Sequence, residues 1–235
     1  MNITEFVQEL AKININPTEE QLEALEIYKN ILLEYNQKFN LTAIKTDSEI
    51  YLKHFYDSLT ITKEIDLKSN LKLLDIGTGA GFPGLVLKIF FPNLEITLLD
   101  SNNKKISFLE TVIKRLNLQD ITCLHGRAEE LGSKYFEYFD IITSRAVAHL
   151  RILAELSLPY LSLNGYFIPL KGNVTNELEE SESTIKALGG KLVNINEFML
   201  PIENSARTII KITKIQSTPE NYPRPYDKIL HHPIK

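Results

Sequence analysis

The sequence predicts an α/β fold: a seven-stranded, mostly parallel sheet with helices on both faces, a terminal antiparallel hairpin and an N-terminal helical extension. Three observations predict it. From residue 71 onward, short apolar runs alternate with amphipathic stretches, the pattern of a parallel sheet covered on both sides. The first apolar run ends in Asp75 and passes at once into a glycine-dense turn, Gly77, Gly79, Gly81 and Gly84, ahead of an amphipathic segment. The last two apolar runs are separated only by 199–206, too short for a helical crossover, so they must pair antiparallel.

The N-terminal third reads as helical. Asn16 offers a cap, Pro17 a first helical residue and Glu19 an acid three positions after the cap. Leu25, Tyr28, Leu32, Tyr35 and Phe39 then recur every three or four residues as one apolar stripe. Thr46 and Glu49 repeat the capping signal and open a helix reaching about Leu59. Leu52, Phe55 or Tyr56, and Leu59 can face its core; Ile50, His54 and Asp57 share the other face. Strands follow at 71–75, 95–100, 121–125, 140–144, 166–171, 191–198 and 207–213, with helices at 84–90, 104–116, 150–158 and 176–188. The tail holds Pro219, Pro223, Pro225 and Pro233 and is aperiodic, which fits either an ordered surface arm or a loose end. The expected division is an extension over 1–66, a Rossmann-like domain over 67–216 and a Pro-rich tail over 217–235.

With 43% hydrophobic and 24% charged residues the composition is that of an ordinary globular protein. No apolar run approaches membrane-spanning length and no basic-then-apolar leader is present, so no membrane partner is expected and a cytoplasmic location is. Cys123 is the single cysteine, expected as an inert thiol. Net charge is −4, and residues 1–70 hold 7 Lys and Arg against 12 Asp and Glu. Bulk charge therefore does not attract nucleic acid, and an RNA partner would need a local basic patch.

The glycine turn contains G-x-G-x-x-G at Gly79, Gly81 and Gly84. Alone that is a weak dinucleotide signal. Asp75 ahead of the turn argues for a ligand with a cationic part, because a carboxylate attracts a sulfonium or ammonium and repels pyrophosphate. S-adenosylmethionine carries both cations. Asp100 closes the second apolar run about 20 residues further on, where an acid can accept ribose hydroxyls, a feature common to adenosine dinucleotides and S-adenosylmethionine. Seven strands ending in a hairpin are the pattern of class I methyltransferases and not of nicotinamide domains.

Arg145 follows the fourth apolar run and should emerge at the strand ends, able to stack on a base, hold phosphate or make a salt bridge. His54, three residues before Asp57, reads equally as a functional group or a structural pair. Lys104, Lys105, Lys114 and Arg115 could face phosphates or simply solvate a helix. The histidines show no ligand spacing, so no metal is expected. No N-P-P-Y-type motif follows the fourth run, which argues against adenine-N6 chemistry.

Six local strings extend this reading: KFNLTAI at 38–44, HFYDSL at 54–59, DIGTGAGFPGL at 75–85, GRAEEL at 126–131, SRAVAHL at 144–150 and TPENYPR at 218–224. Together they resemble the bacterial small-subunit ribosomal RNA guanine-N7 methyltransferase family, also called glucose-inhibited division protein B, over nearly the whole chain. The resemblance implies S-adenosylmethionine as methyl donor and 16S rRNA or the small ribosomal subunit as partner; a monomer is expected. It implies Gly77, Phe82, Ala128 and Glu129 as cofactor-binding residues beside Asp75, Gly79 and Asp100. Arg145 would be the pocket arginine, contacting acceptor and cofactor, and His54 a positioning group at the pocket mouth, with no general base. The tail departs from the family pattern: YPRPYDKILHHPIK lacks the glycine that usually follows YPR. Other acceptors, or a non-catalytic adenine-nucleotide module, are the competing readings of the residues alone.

Overall fold

The computed structural model describes residues 1–174 and 176–234. Asn2 opens the first helix, α1 (Ile3–Ala11), through a capping box with Glu5. Helix α2 (Glu19–Phe39) is capped by Thr18, not Asn16, because Thr18 and Gln21 exchange reciprocal bonds of 3.2 and 3.0 Å. Its stripe is buried at Leu25, Tyr28 and Leu32 and emerges into solvent at Phe39.

The third helical region is not a plain α-helix. A turn of α3 (Asp47–Glu49) passes into a π-helix at Ile50–Tyr56 and then into α4 (Asp57–Leu59). From Ile50 to Ile61 every residue but Lys53 is buried, since the segment is wedged between α1, α2 and the strand ends. Ile50 sits wholly in the core, and His54 and Asp57 are buried beside it. Bonds of i→i+5 type widen the turn, so each residue advances through a smaller angle than the α-helical spacing assumed from sequence.

The sheet contains β1 (Lys72–Ile76), β2 (Glu95–Asp100), β3 (Ile121–His125), β4 (Phe139–Arg145), β5 (Leu161–Lys171), β6 (Gly190–Met199) and β7 (Ala206–Lys214), ordered β3-β2-β1-β4-β5-β7-β6. The first five run parallel, and β7 lies antiparallel between β5 and β6. Strand β5 begins five residues before the expected 166. Leu161 pairs with Phe139, the register then shifts, and Tyr166 resumes opposite Ile141. The Asn164-Gly165 pair forms an irregularity inside the strand, with Asn164 at φ +65°.

Alternate residues of β1 serve opposite faces. Leu73 joins a core shared with α1, α2, the π segment, α5 (Gly84–Phe90) and α6 (Asn103–Arg115). Leu74 joins a second core beneath α7 (Leu150–Ser157), α8 (Glu177–Ala187) and α9 (Tyr226–His231). The extension thus shares one hydrophobic core with the sheet. Strand order reverses between β1 and β4, which opens a crevice at their C-terminal ends, the usual ligand position in such sheets.

Candidate active site

Two cavities adjoin in that crevice, of about 340 and 540 Å³, and Ala146 and Val147 line both.

The smaller one lies over β1, β2 and β3. Its floor is Ile76 and Leu99; Gly77, Asp100, Lys105, Ala128 and Glu129 line its sides. The loop after β1 is rigidly held. Gly77 and Thr78 donate backbone bonds to Leu99 O at 2.9 and 3.0 Å, and Tyr28 Oη donates to Ala80 O. Gly77 stands at φ +67°, and a Cβ there would meet Val147 Cγ2 at 2.7 Å, so only glycine fits between the loops. Asp100 accepts from Gly79 N at 2.9 Å and Asn102 N at 2.9 Å, with Lys105 Nζ at 3.5 Å. Glu129 is held by Arg127 Nε at 3.0 Å.

Asp75 is placed differently from the sequence expectation. It does not line the cavity but lies fully buried behind the loop, where Oδ2 accepts from Thr78 Oγ1 at 2.7 Å and Gly84 N at 2.8 Å. Its Oδ1 has no hydrogen-bond partner among the described residues. Burial pushes its pKa up to about 6, against the opposing pull of the Thr78 and Gly84 bonds. The acid therefore shapes the glycine loop. Phe82 also lies off the cavity: its ring stacks on His54 at 4.1 Å and on Tyr28 at 5.6 Å, because the loop turns it toward α2 and the π segment.

The larger cavity lies between the π segment and β4, β5 and β7, lined by His54, Asp57, Arg145, Lys171 and Arg207 among others. Arg145 belongs to this side and does not line the smaller cavity. Its Nη1 donates to Lys53 O at 2.7 Å and Asp57 Oδ2 at 3.1 Å, and its Nη2 to His54 Nδ1 at 3.1 Å. Those three acceptors hold the guanidinium toward the helices. The π turn supplies one of them: Asp57 N–H bonds Leu52 O and His54 O, leaving Lys53 O to the arginine. Asp57 Oδ1 accepts Arg207 Nε at 3.0 Å, so one buried carboxylate bridges two arginines.

With Nδ1 accepting from Arg145, His54 carries its proton on Nε2, which donates to Thr42 Oγ1 at 2.9 Å. Burial first, and the Arg145 charge second, push its pKa down to about 3. It is a neutral, fully engaged imidazole. Lys171 Nζ pairs with Glu177 at 2.6 Å and Ala148 O at 2.7 Å, and Glu177 accepts Leu150 N at 2.9 Å, which fixes the loop dividing the cavities.

Sequence reasoning missed Arg207, Lys171, Glu177 and Tyr226. The first three carry no local motif. Tyr226 lies in the tail and reaches the smaller cavity because the tail is an ordered arm. Lys105, from the basic helix run, lines the smaller cavity. The Cys123 thiol is pushed up to about 12, mainly by burial. No group of three or more His, Cys, Asp or Glu able to hold a metal occurs among the described residues, and no helix among them is long and apolar enough to cross a membrane.

The smaller cavity fits S-adenosylmethionine: an acid at the end of β2 for ribose, an open glycine backbone beside it, and apolar Ile76, Leu99 and Ala128 for a base. A sheet in this order with that cavity defines a class I S-adenosylmethionine-dependent methyltransferase. A SAM-dependent methyltransferase from Aquifex aeolicus has the same fold, with a TM-score of 0.55 at 16% identity over 72% of this chain and 94% of that one. TYW2 of P. horikoshii, solved in complex with MeSAdo, gives 0.53 at 12% identity over 68% of this chain and 62% of that one. At family level, the model for rRNA small subunit methyltransferase G matches residues 21–207. Proteins named ribosomal RNA small subunit methyltransferase G are 49% identical in Lachnoclostridium phytofermentans, over 97% of this chain and 96% of that one, and 47% identical in Bacillus subtilis, over 95% of each. The chain belongs to the rRNA small subunit methyltransferase G family.

Proposed function

We infer that this chain is an S-adenosylmethionine-dependent methyltransferase of small-subunit (16S) ribosomal RNA and that its acceptor atom is N7 of a guanine. The observation that carries the N7 assignment is the state of His54. An exocyclic amine or hydroxyl acceptor must lose a proton, and the histidine at the larger cavity is neutral with both ring nitrogens engaged. Guanine N7 presents a lone pair at neutral pH and needs no base. Bound S-adenosylmethionine supplies a methyl group already activated by its sulfonium.

The chain's own residues then align and shield. Asp100 accepts the ribose hydroxyls, Gly77 and Ala128 with Glu129 frame the cofactor, Gly79, which does not itself line the cavity, steadies Asp100 through its N–H, and Asp75 holds the loop in shape. Arg145, locked by Asp57, His54 and Lys53 O, offers a flat cationic face at the larger cavity against which a purine can stack. Phe82 and His54 act as its backing. Alignment of this kind is worth several kcal/mol. In this reading 67–216 carries cofactor and chemistry, 1–66 walls the acceptor cavity and 217–235 straps the cofactor side. Both cavities are lined by residues of one chain, which supports a monomer as the working unit.

The test is transfer of a labelled methyl group from S-adenosylmethionine to small-subunit rRNA, with nucleoside analysis of the product. The label should appear as 7-methylguanosine. Its appearance on another atom refutes the N7 assignment, and no transfer to RNA refutes the acceptor class.

A further inference from the structure

The tail is docked by three separate contacts. Arg224 grips the buried carboxylate of Glu155 in α7 through Nε at 2.6 Å and Nη2 at 2.7 Å. Arg151, also in α7, donates to Ile229 O at 3.2 Å and Leu230 O at 3.3 Å, satisfying carbonyls at the end of α9. Ile229, on the inner side of α9, is buried in the second core. These contacts bracket Tyr226, which lines the smaller cavity. Its ring lies 5.1 Å from the guanidinium carbon of Arg127, and Arg127 is itself held by Glu129.

The order of groups around the cavity settles which part of a ligand Tyr226 meets. Gly77 with Ala146 and Val147 borders the end next to the larger cavity, where the transferred methyl must lie. Asp100 and Ser101 hold the middle, at the end of β2. Gly126 to Glu129, after β3, border the far end, and Tyr226 stands with them. With ribose at Asp100 and the methyl at Val147, the adenine falls at the far end.

We propose that Tyr226, carried by the docked C-terminal arm and steadied by Arg127, is the outer wall of the adenine site and a determinant of cofactor affinity. The proposal rests on the cofactor reading above. It gives the arm a binding role: the adenine is sandwiched between the strand ends and a ring supplied from the last ten residues of the chain.

The chain contains no tryptophan, so Tyr226→Trp installs the sole indole at the proposed wall. In the full-length Tyr226→Trp chain, S-adenosylhomocysteine and adenosine should both quench the indole emission, and methionine should not. By calorimetry Tyr226→Ala should weaken S-adenosylhomocysteine by about tenfold or more, the scale of one lost aromatic–base stack, while Tyr226→Phe stays within about twofold of the parent. Wild-type affinity in Tyr226→Ala, or an indole silent to calorimetrically bound S-adenosylhomocysteine, overturns the proposal and leaves the cofactor reading standing. If Tyr226→Ala fails to fold, the Tyr226→Trp titration decides. No binding of S-adenosylhomocysteine by the unsubstituted chain overturns the cofactor reading, and the wall with it.

Discussion

The two cavities share a wall and are built in opposite ways. The smaller cavity, proposed for the cofactor, is assembled from strand ends and the loops that leave them, and its shape is fixed largely by backbone groups: Gly77 and Thr78 N–H bonded to Leu99 O, with Gly79 N–H donating to the Asp100 carboxylate. The larger cavity, proposed for the acceptor, is assembled from side chains far apart in sequence. Arg145 reaches back 92 positions to Lys53 O, and Arg207 reaches back 150 to Asp57. A binding surface made of backbone is insensitive to most single substitutions. One made of a charged side-chain network fails when a single member is removed. The acceptor side should therefore be the more fragile half.

The sharpest test is Asp57→Ala. It leaves Arg145 and Arg207 facing each other with their shared counter-charge gone, and breaking a buried ion pair costs about 3–5 kcal/mol. Denaturant unfolding should show a loss of that order. A loss below about 1 kcal/mol would show that the arginines find other partners and that the network is not what holds this side.

Arg145→Ala should lower single-turnover methyl transfer by about 100-fold, the scale of misplacing a reacting group, while S-adenosylhomocysteine affinity stays within about threefold. Lost cofactor binding with normal turnover at saturation would move Arg145 to the other cavity. Asp100→Ala should do the converse, weakening the cofactor by about 1–3 kcal/mol as ribose acceptors are lost. Calorimetry showing unchanged affinity would remove Asp100 from the ribose site.

The smallest effect on rate is expected at His54. Since its folded-state pKa is near 3, the transfer step should be flat between about pH 6.5 and 8.5, and His54→Gln should slow it at most about tenfold. Stability gives a separate readout. In the unfolded chain an imidazole takes up a proton near pH 6.5, whereas folded His54 resists protonation down to about pH 3. The unfolded state binds more protons in that window, so the His54 contribution is complete above it and is lost as pH falls through it. Melting temperatures of His54→Gln should fall less between pH 7 and 5 than those of the parent. An equal fall in both would show that His54 is not held neutral.

The same contrast explains what could be read from the sequence. Asp75, the glycine turn and Asp100 fall in chain order along the sheet, so apolar runs and spacings point to the proposed cofactor side, whereas Ala128 and Glu129 in GRAEEL are reached only through the family resemblance. Even there, direction was harder than position: an acid ending a strand looks like a ligand contact, and Asp75 points inward to Thr78 and Gly84. Arg207 has no such cue. Its role exists only because β7 inserts beside β5 and brings residue 207 over the π segment. The π turn itself is invisible to helical periodicity, which assumes one spacing throughout. Helix α9 was hidden by the prolines around it, although Pro225 is the residue that starts it.

The π turn has a consequence for how this segment can change in length. Between Ile50 and Tyr56 the chain carries one residue more per turn than an α-helix uses, and that surplus releases Lys53 O to the arginine. Deleting any one residue there would let the helix close into ordinary i→i+4 bonding. The freed carbonyl would be reabsorbed, and Asp57 would be swung away from Arg145 and Arg207. In this stretch the number of residues is itself a functional quantity. Point substitutions that keep the count can drift, but a single-codon deletion would erase the acceptor side while the helix around it became more regular.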